Sequence, residues 1–90
     1  MAIGVFFYPE EMTSAQYDQI QQKLAEAGQT SPKGRQHHFA FGDNDSIIVV
    51  DVWESQEDFV AFGEVLMPII EEMGIEVEPG MLELHNSISG

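Results

Sequence analysis

The sequence predicts one α+β domain over residues 1–90, with elements in the order β-α-β-β-α-β. Three observations support this prediction. Four runs rich in β-branched and aromatic residues have strand-like spacing, at 2–8, 35–42, 46–53 and 81–88. Two stretches between them carry apolar residues at helical intervals. No repeat, low-complexity tract or linker divides the chain.

The first strand and the first helix have clear boundary signals. Residues 2–8 form an extended apolar run that ends at Pro9. Thr13 and Gln16 have the spacing of a capping box, which predicts a helix starting at Thr13, and Gly28 is placed to end that helix. The apolar stripe of the helix consists of Tyr17, Ile20, Leu24 and Ala27.

The middle of the chain predicts a hairpin, because strands 35–42 and 46–53 flank a tight connection at Asp43, Asn44 and Asp45. Ser55 then caps a second helix, which Gly74 ends. Pro68 removes an amide from this helix, so we expect a kink near Leu66 or a short second helix starting there. The buried stripe of the second helix consists of Phe59, Phe62, Leu66, Ile69, Ile70 and Met73. The last predicted strand follows at 81–88.

This element order with short connections predicts a ferredoxin-like split βαβ sheet with both helices on one face. The other face would be wet, and its strands would then alternate apolar with polar residues. Residues 46–53 are instead apolar on both sides of the strand, and the first strand behaves similarly. Exposed together, these side chains would form a large sticky patch. The pattern therefore predicts that a second copy of the chain covers the sheet, as a homodimer in the form of a dimeric α+β barrel.

Composition excludes several classes of partner. Sixteen acidic residues against three basic ones give a net charge of −13, which disfavours nucleic acid and anionic membranes. The chain contains no cysteine, so it has no disulfide or thiolate site. No apolar stretch approaches the roughly 20 residues of a membrane span, and residues 2–8 lack the basic flank of a signal peptide. We expect a cytoplasmic protein.

The second half of the chain resembles a known superfamily. The residues that carry the resemblance are VDVWESQEDF at 50–59, LMP at 66–68 and LHN at 84–86. They are similar to small bacterial proteins of the dimeric α+β barrel superfamily, whose best-known branch is the antibiotic-biosynthesis-monooxygenase-like family. The resemblance implies the fold predicted above, and it implies functions that range from cofactor-free oxygenation of aromatic polyketides and quinols to haem degradation. Phe62 stands where active members often carry a histidine, and the first strand lacks the asparagine of haem-degrading relatives; both departures argue against these activities.

Asp51 is the residue that most suggests chemistry, because it is a carboxylate inside an apolar strand. Its burial is costly without a hydrogen-bonding partner. If Gly42 pairs with Ser46, His37 falls opposite Asp51; if Gly42 pairs with Ile47, His38 does. Either histidine could make an oriented general base with Asp51, or a buried polar pair that fixes the register.

Other residues are candidate ligand contacts rather than bases. Trp53 could stack on a flat ligand, and Arg35 could hold an anionic group. His37 and His38 point to opposite faces and cannot share a metal. His85 with Asp51 could in principle hold one, but their spacing is no recognised ligand signature, so we predict no metal. We also predict no cofactor. The remaining candidates for the ligand site are Tyr17, Phe62 and His85.

Three functions remain open from the sequence. The first is the binding of a small flat apolar or aromatic ligand in a cavity between helices and sheet. The second is cofactor-independent oxygenation or isomerisation of an aromatic polyketide or quinol, with the His–Asp pair as base. The third is a pure assembly role with a filled core.

Overall fold

A computed structural model describes residues 2–90, so that Met1 lies outside the described part of the chain. The sheet has the strand order β2-β3-β1-β4, and every neighbouring pair is antiparallel. The predicted α+β ferredoxin-like fold is confirmed. The elements are β1 Ile3–Phe7, α1 Ser14–Glu26, β2 Arg35–Asp43, β3 Ser46–Trp53, α2 Gln56–Glu72 and β4 Gly80–Glu83.

The predicted helix ends are confirmed. The hydroxyl of Thr13 accepts a hydrogen bond from the Gln16 amide at 3.1 Å, and the Gln16 side chain accepts one from the Thr13 amide at 2.9 Å. The Ser55 hydroxyl accepts from the Asp58 amide at 3.2 Å and so caps α2. Gly28 and Gly74, with φ of 77° and 73°, end the two helices in the left-handed conformation that glycine adopts without strain.

Pro68 lies inside a single continuous helix, α2. The predicted alternative, in which a short separate helix starts near Leu66, is therefore wrong. Proline lacks the amide that would bond to the carbonyl four residues earlier. Pro68 lies on an exposed side of α2, so water can reach the carbonyl that loses its partner.

The last strand is shorter than predicted, since β4 covers Gly80–Glu83 rather than 81–88. It pairs antiparallel with β1, Glu83 lying opposite Ile3. One further bond joins the Leu84 amide to the Ala2 carbonyl at 2.9 Å.

The hairpin between β2 and β3 uses a two-residue loop, Asn44 and Asp45. Gly42 pairs with Ile47 and has φ of +126°, and a Cβ there would lie 2.0 Å from the Ser46 carbonyl oxygen. Only glycine fits this position. In this register His38 lies opposite Asp51. Of the two registers considered from the sequence, this is the second.

The sheet has two unlike faces. The near face packs against both helices in one buried cluster, to which β1 contributes Ile3, Val5 and Phe7 and β3 contributes Ile47, Val49 and Trp53. The far face is turned away from the helices and bears exposed side chains, of which Tyr8 is 59%, Phe41 53% and Leu82 68% exposed. Covering of the far face by a second copy stays a prediction.

Within residues 2–90, neither helix combines the length and apolar character needed to span a bilayer. The cytoplasmic location stays a prediction from the sequence.

Candidate functional site

Asp51 is the one buried charged residue within the described chain, with 2% of its surface exposed. It lies on β3 between Val49 and Trp53, all three facing the helices. The register brings His38 of β2 beside it, with His38 Nδ1 2.5 Å from Asp51 Oδ1. A buried carboxylate is tolerated only when such a partner satisfies it.

Tyr17 of α1 extends this pair into a triad of Tyr17, His38 and Asp51. The Tyr17 hydroxyl lies 2.6 Å from His38 Nε2, and the two rings stack with their centres 6.0 Å apart. An ionised carboxylate can only accept hydrogen bonds, so Nδ1–H of His38 donates to Asp51. Nε2 of the neutral ring is then an acceptor, and the Tyr17 hydroxyl donates to it.

The hydroxyl of Tyr17 keeps its proton at neutral pH. Burial of the ring raises the pKa of Tyr17 above 10.0, and the negative charge of Asp51 raises this pKa further. The Arg35 guanidinium acts in the opposite sense, and Asp18 adds a smaller upward effect. In its resting state the triad therefore contains a neutral phenol.

The triad opens on a cavity of about 50 Å³ between the helices and the near face. Such a volume holds a few water molecules, at roughly 10–15 Å³ each. The polar groups around it belong to the triad, Gln21 and Arg35, and the remaining wall is apolar. The apolar wall consists of Phe7, Pro9, Met12, Ile20, Leu24, Val49, Phe62, Leu66, Ile70, Ile75 and Val77.

Five of the residues predicted for the site therefore meet at one cavity: Asp51, His38, Tyr17, Arg35 and Phe62. Three do not line it. His37 is exposed on the far face, stacked on Phe39 at 5.9 Å, because adjacent strand residues point to opposite sides. His85 is exposed and follows the end of β4.

Trp53 is the third residue outside the cavity wall. It is completely buried and packs on Phe59 and Phe62, with ring centres 5.6 Å and 5.1 Å away. Its indole nitrogen has no hydrogen-bond partner within residues 2–90. Phe62 lines the cavity and separates the Trp53 ring from it, so a ligand in the cavity would touch Phe62 and not the indole.

The sequence analysis did not identify Gln21, Ile75 or Val77 as residues that line the cavity. Gln21 lies four residues after Tyr17, one helical turn along the same face of α1, and this spacing could have identified it. Ile75 and Val77 alternate with exposed glutamates in the segment between α2 and β4. Because this segment belongs to no predicted helix or strand, the alternation did not indicate which part of the protein the two apolar side chains would contact.

The described residues contain no cluster of three or more histidine, aspartate or glutamate side chains arranged to hold a metal ion. The triad is instead suited to proton transfer, since it joins a hydroxyl, an imidazole and a carboxylate in that order.

Comparison with solved structures identifies proteins of similar fold. The chain is similar to SnoaB from Streptomyces nogalater, a cofactor-independent oxygenase, with 13% identity over 99% of this chain and 97% of that one and a TM-score of 0.67. It is similar to Rv0793 from Mycobacterium tuberculosis, at 9% identity, 99% and 100% coverage and a TM-score of 0.74. A candidate antibiotic biosynthesis monooxygenase from Chloroflexus aurantiacus J-10-fl gives 19% identity, 99% and 98% coverage and a TM-score of 0.67.

No family model matches the chain, and no curated protein does. Two solved structures of similar fold, from Chloroflexus aurantiacus and Deinococcus radiodurans, are candidate antibiotic biosynthesis monooxygenases matched over 98% and 97% of their length, so the resemblance predicted from the sequence is confirmed at the level of the fold. At these sequence identities the similarity supports the fold alone, and the chemistry must be argued from the residues of the site.

Proposed function

We propose that this protein binds a small, flat, mostly apolar molecule in the cavity and takes a proton from a hydroxyl group on it. The observation that carries the proposal is the triad of Tyr17, His38 and Asp51 at the wall of an otherwise apolar cavity. A pair of buried polar groups would suffice to fix the strand register. The third member, on a different element and exposed to the cavity, is what favours proton transfer.

The proton would move through the triad in one direction. A hydroxyl of the bound molecule donates to the oxygen of Tyr17, and the proton of Tyr17 passes to His38 Nε2 over the 2.6 Å hydrogen bond. His38 becomes an imidazolium that Asp51 stabilises through Nδ1. Tyr17 is thus neutral before and after the transfer, which agrees with the raised pKa of its hydroxyl.

The cavity must widen to admit a ring, because an apolar cavity of about 150 Å³ is the size known to hold benzene. Four wall residues belong to no helix or strand: Pro9 and Met12 precede α1, where the Met12 carbonyl accepts a hydrogen bond from the Ile47 amide at 2.8 Å, and Ile75 and Val77 lie between α2 and β4. The segment that contains Ile75 and Val77 is tied by fewer backbone hydrogen bonds than the sheet and helices, so it is the wall that can move at least cost.

Phenol and toluene test the proposal, because they share a shape and differ in the hydroxyl. Phenol should shift the amide NMR signals of cavity residues, and Asp51→Asn should fold yet bind phenol about tenfold more weakly. Toluene binding should be equal in the two proteins. If neither compound binds at concentrations that saturate other small apolar cavities, the proposal is wrong and a pure assembly role takes its place.

Cofactor-independent oxygenation is a second candidate, favoured by the likeness in fold to the oxygenase SnoaB. Proton removal turns a phenol or enol into an electron-rich anion that dioxygen can oxidise directly. A CH₂ group would become C=O, one oxygen atom of O₂ entering the product and the other leaving as water. Oxygen uptake with aromatic quinols and polyketide-like phenols, lost in Asp51→Asn, would support it; binding without uptake would leave the first proposal alone.

We also propose that the far face is covered by a second copy of the chain. Its exposed aromatic and aliphatic side chains include Tyr8, Phe39, Phe41 and Leu82, none of them charged, in a protein of net charge −13. An uncharged apolar surface on so acidic a molecule is best matched by the same surface on a copy, since other faces of the protein carry the carboxylates.

A further inference from the structure

A break in the pairing of β2 with β3 determines where Arg35 points. Arg35 lies opposite Trp53, whereas His37, two residues later, lies opposite Val52, only one residue earlier on β3. Gln36 is therefore an extra residue, and the register shift is a bulge. In a regular strand Arg35 and His38 would point to opposite faces, because they are three residues apart. The bulge puts both on the cavity.

The guanidinium group of Arg35 is held in place without being neutralised. It donates to the Thr30 carbonyl at 3.1 Å and lies 6.0 Å from the centre of the Phe62 ring. Among the described residues no carboxylate lies at ion-pair distance from it, in contrast to Lys23 and Lys33, which each have one at 3.9 Å. One of three cations in a chain with sixteen acidic residues thus faces a cavity and keeps its charge available.

Building on the proposed function, we infer that Arg35 holds the anion formed when a neutral phenol or enol loses its proton in this cavity. It is a ligand-contacting residue in addition to the triad. The substrate class follows: a molecule that enters uncharged and becomes an oxyanion once bound.

The charge balance of the cavity supports this role. The titratable and charged groups facing it are Tyr17 from α1, Arg35 and His38 from β2, and Asp51 from β3. Before transfer, Arg35 and Asp51 cancel. After transfer, the O–H bond of the ligand has broken, His38 carries the proton and the ligand oxygen keeps the electron pair. Two ion pairs then stand side by side, Asp51 with His38 and the oxyanion with Arg35, and the sum is still zero.

Without Arg35 the same transfer would leave one net negative charge in a poorly hydrated space inside an already acidic protein. An opposite charge within about 4–6 Å typically shifts an acid's ionisation by one to three pKa units. A guanidinium is also always charged and is more weakly hydrated than a lysine ammonium, so it loses less hydration when it pairs with an anion in a cavity.

The test uses 4-nitrophenol, whose phenolate absorbs visible light, and follows the ionisation of the bound dye as pH is varied. In the native protein the dye should ionise at lower pH when bound than when free. Arg35→Gln should reduce the ratio of bound phenolate to bound phenol about tenfold or more at a given pH. Arg35→Lys should retain part of the effect. Lys33→Gln is the matched control, because Lys33 is an exposed cation outside the cavity wall.

Each outcome separates this inference from the function on which it rests. If the native protein does not bind the dye, the proposed function fails and the role of Arg35 fails with it. If the dye binds and Arg35→Gln behaves like Lys33→Gln, only the inference is overturned. Should Arg35→Gln not fold, the native protein still decides: ionisation of the bound dye at the same pH as the free dye, or higher, overturns the inference.

Discussion

The two faces of the sheet are built from similar residues and have opposite surroundings. Strand β3 alternates Ile47, Val49 and Asp51 on the near face with Ile48 and Val50 on the far face. The near face is closed by both helices and contains a carboxylate, whereas the far face is mostly apolar and has no helix over it. The exposed apolar side chains of the far face therefore indicate where another surface must pack. The buried carboxylate of Asp51 on the near face indicates where chemistry can occur.

The largest expected effect comes from the near face. Trp53→Ala removes a completely buried side chain and should lower the free energy of unfolding by about 3–5 kcal/mol. Val52→Ala changes the preceding residue, whose side chain is on the far face, and should lower the free energy of unfolding clearly less. Denaturant unfolding followed by circular dichroism measures both. Equal losses would mean that the far face is as well covered as the near face.

A lysine on the far face should act on association rather than on folding. Phe39→Lys places a charge at the centre of the proposed contact and should weaken dimer formation by about a hundredfold or more in Kd. Sedimentation equilibrium would show this as a change from the mass of two chains toward that of one. Val60→Lys is the control, because Val60 is an exposed apolar residue of α2, away from the sheet. A native protein that is already monomeric at high concentration would rule out the dimer.

The smallest expected effect is the change in the pH dependence of stability on replacing Tyr17, which tests the electrostatic environment of the near face. Because the pKa of Tyr17 is raised in the folded protein, folding favours the protonated hydroxyl. That contribution is complete below the unfolded pKa of 10.0 and is lost as pH rises through the folded value. The free energy of unfolding should thus fall more steeply above about pH 10 in the native protein than in Tyr17→Phe. Parallel curves for the two proteins would contradict the assigned environment.

Much of the fold was predictable because its determinants are local. Thr13, Ser55, Gly28 and Gly74 mark the helix ends by side-chain chemistry and backbone conformation that operate within a few residues. The hairpin register was predictable only to two alternatives. Deciding between them required the pairing of Asp43 with Ser46, which leaves a loop of two residues and depends on contacts along the whole hairpin.

The site was harder to predict, because its geometry depends on contacts between distant elements. The Asp51–histidine pair was foreseen from strand spacing, and Tyr17 as a ligand contact from its position in the helical stripe. That Tyr17 would hydrogen-bond to His38 depends on how α1 is seated on the sheet. The bulge at Gln36 has no sequence signature. The strand mixes polar and aromatic side chains, so the sequence is compatible with a sheet whether or not one residue is inserted.

The position of Trp53 also provides an optical probe. It is the only tryptophan in the chain, it is shielded from water, and its ring rests on Phe62, which borders the cavity. Its fluorescence should be blue-shifted in the folded protein and should move to longer wavelength on unfolding. A guest that displaces the Phe62 ring would change the emission without touching the fluorophore, so occupancy can be followed without any label.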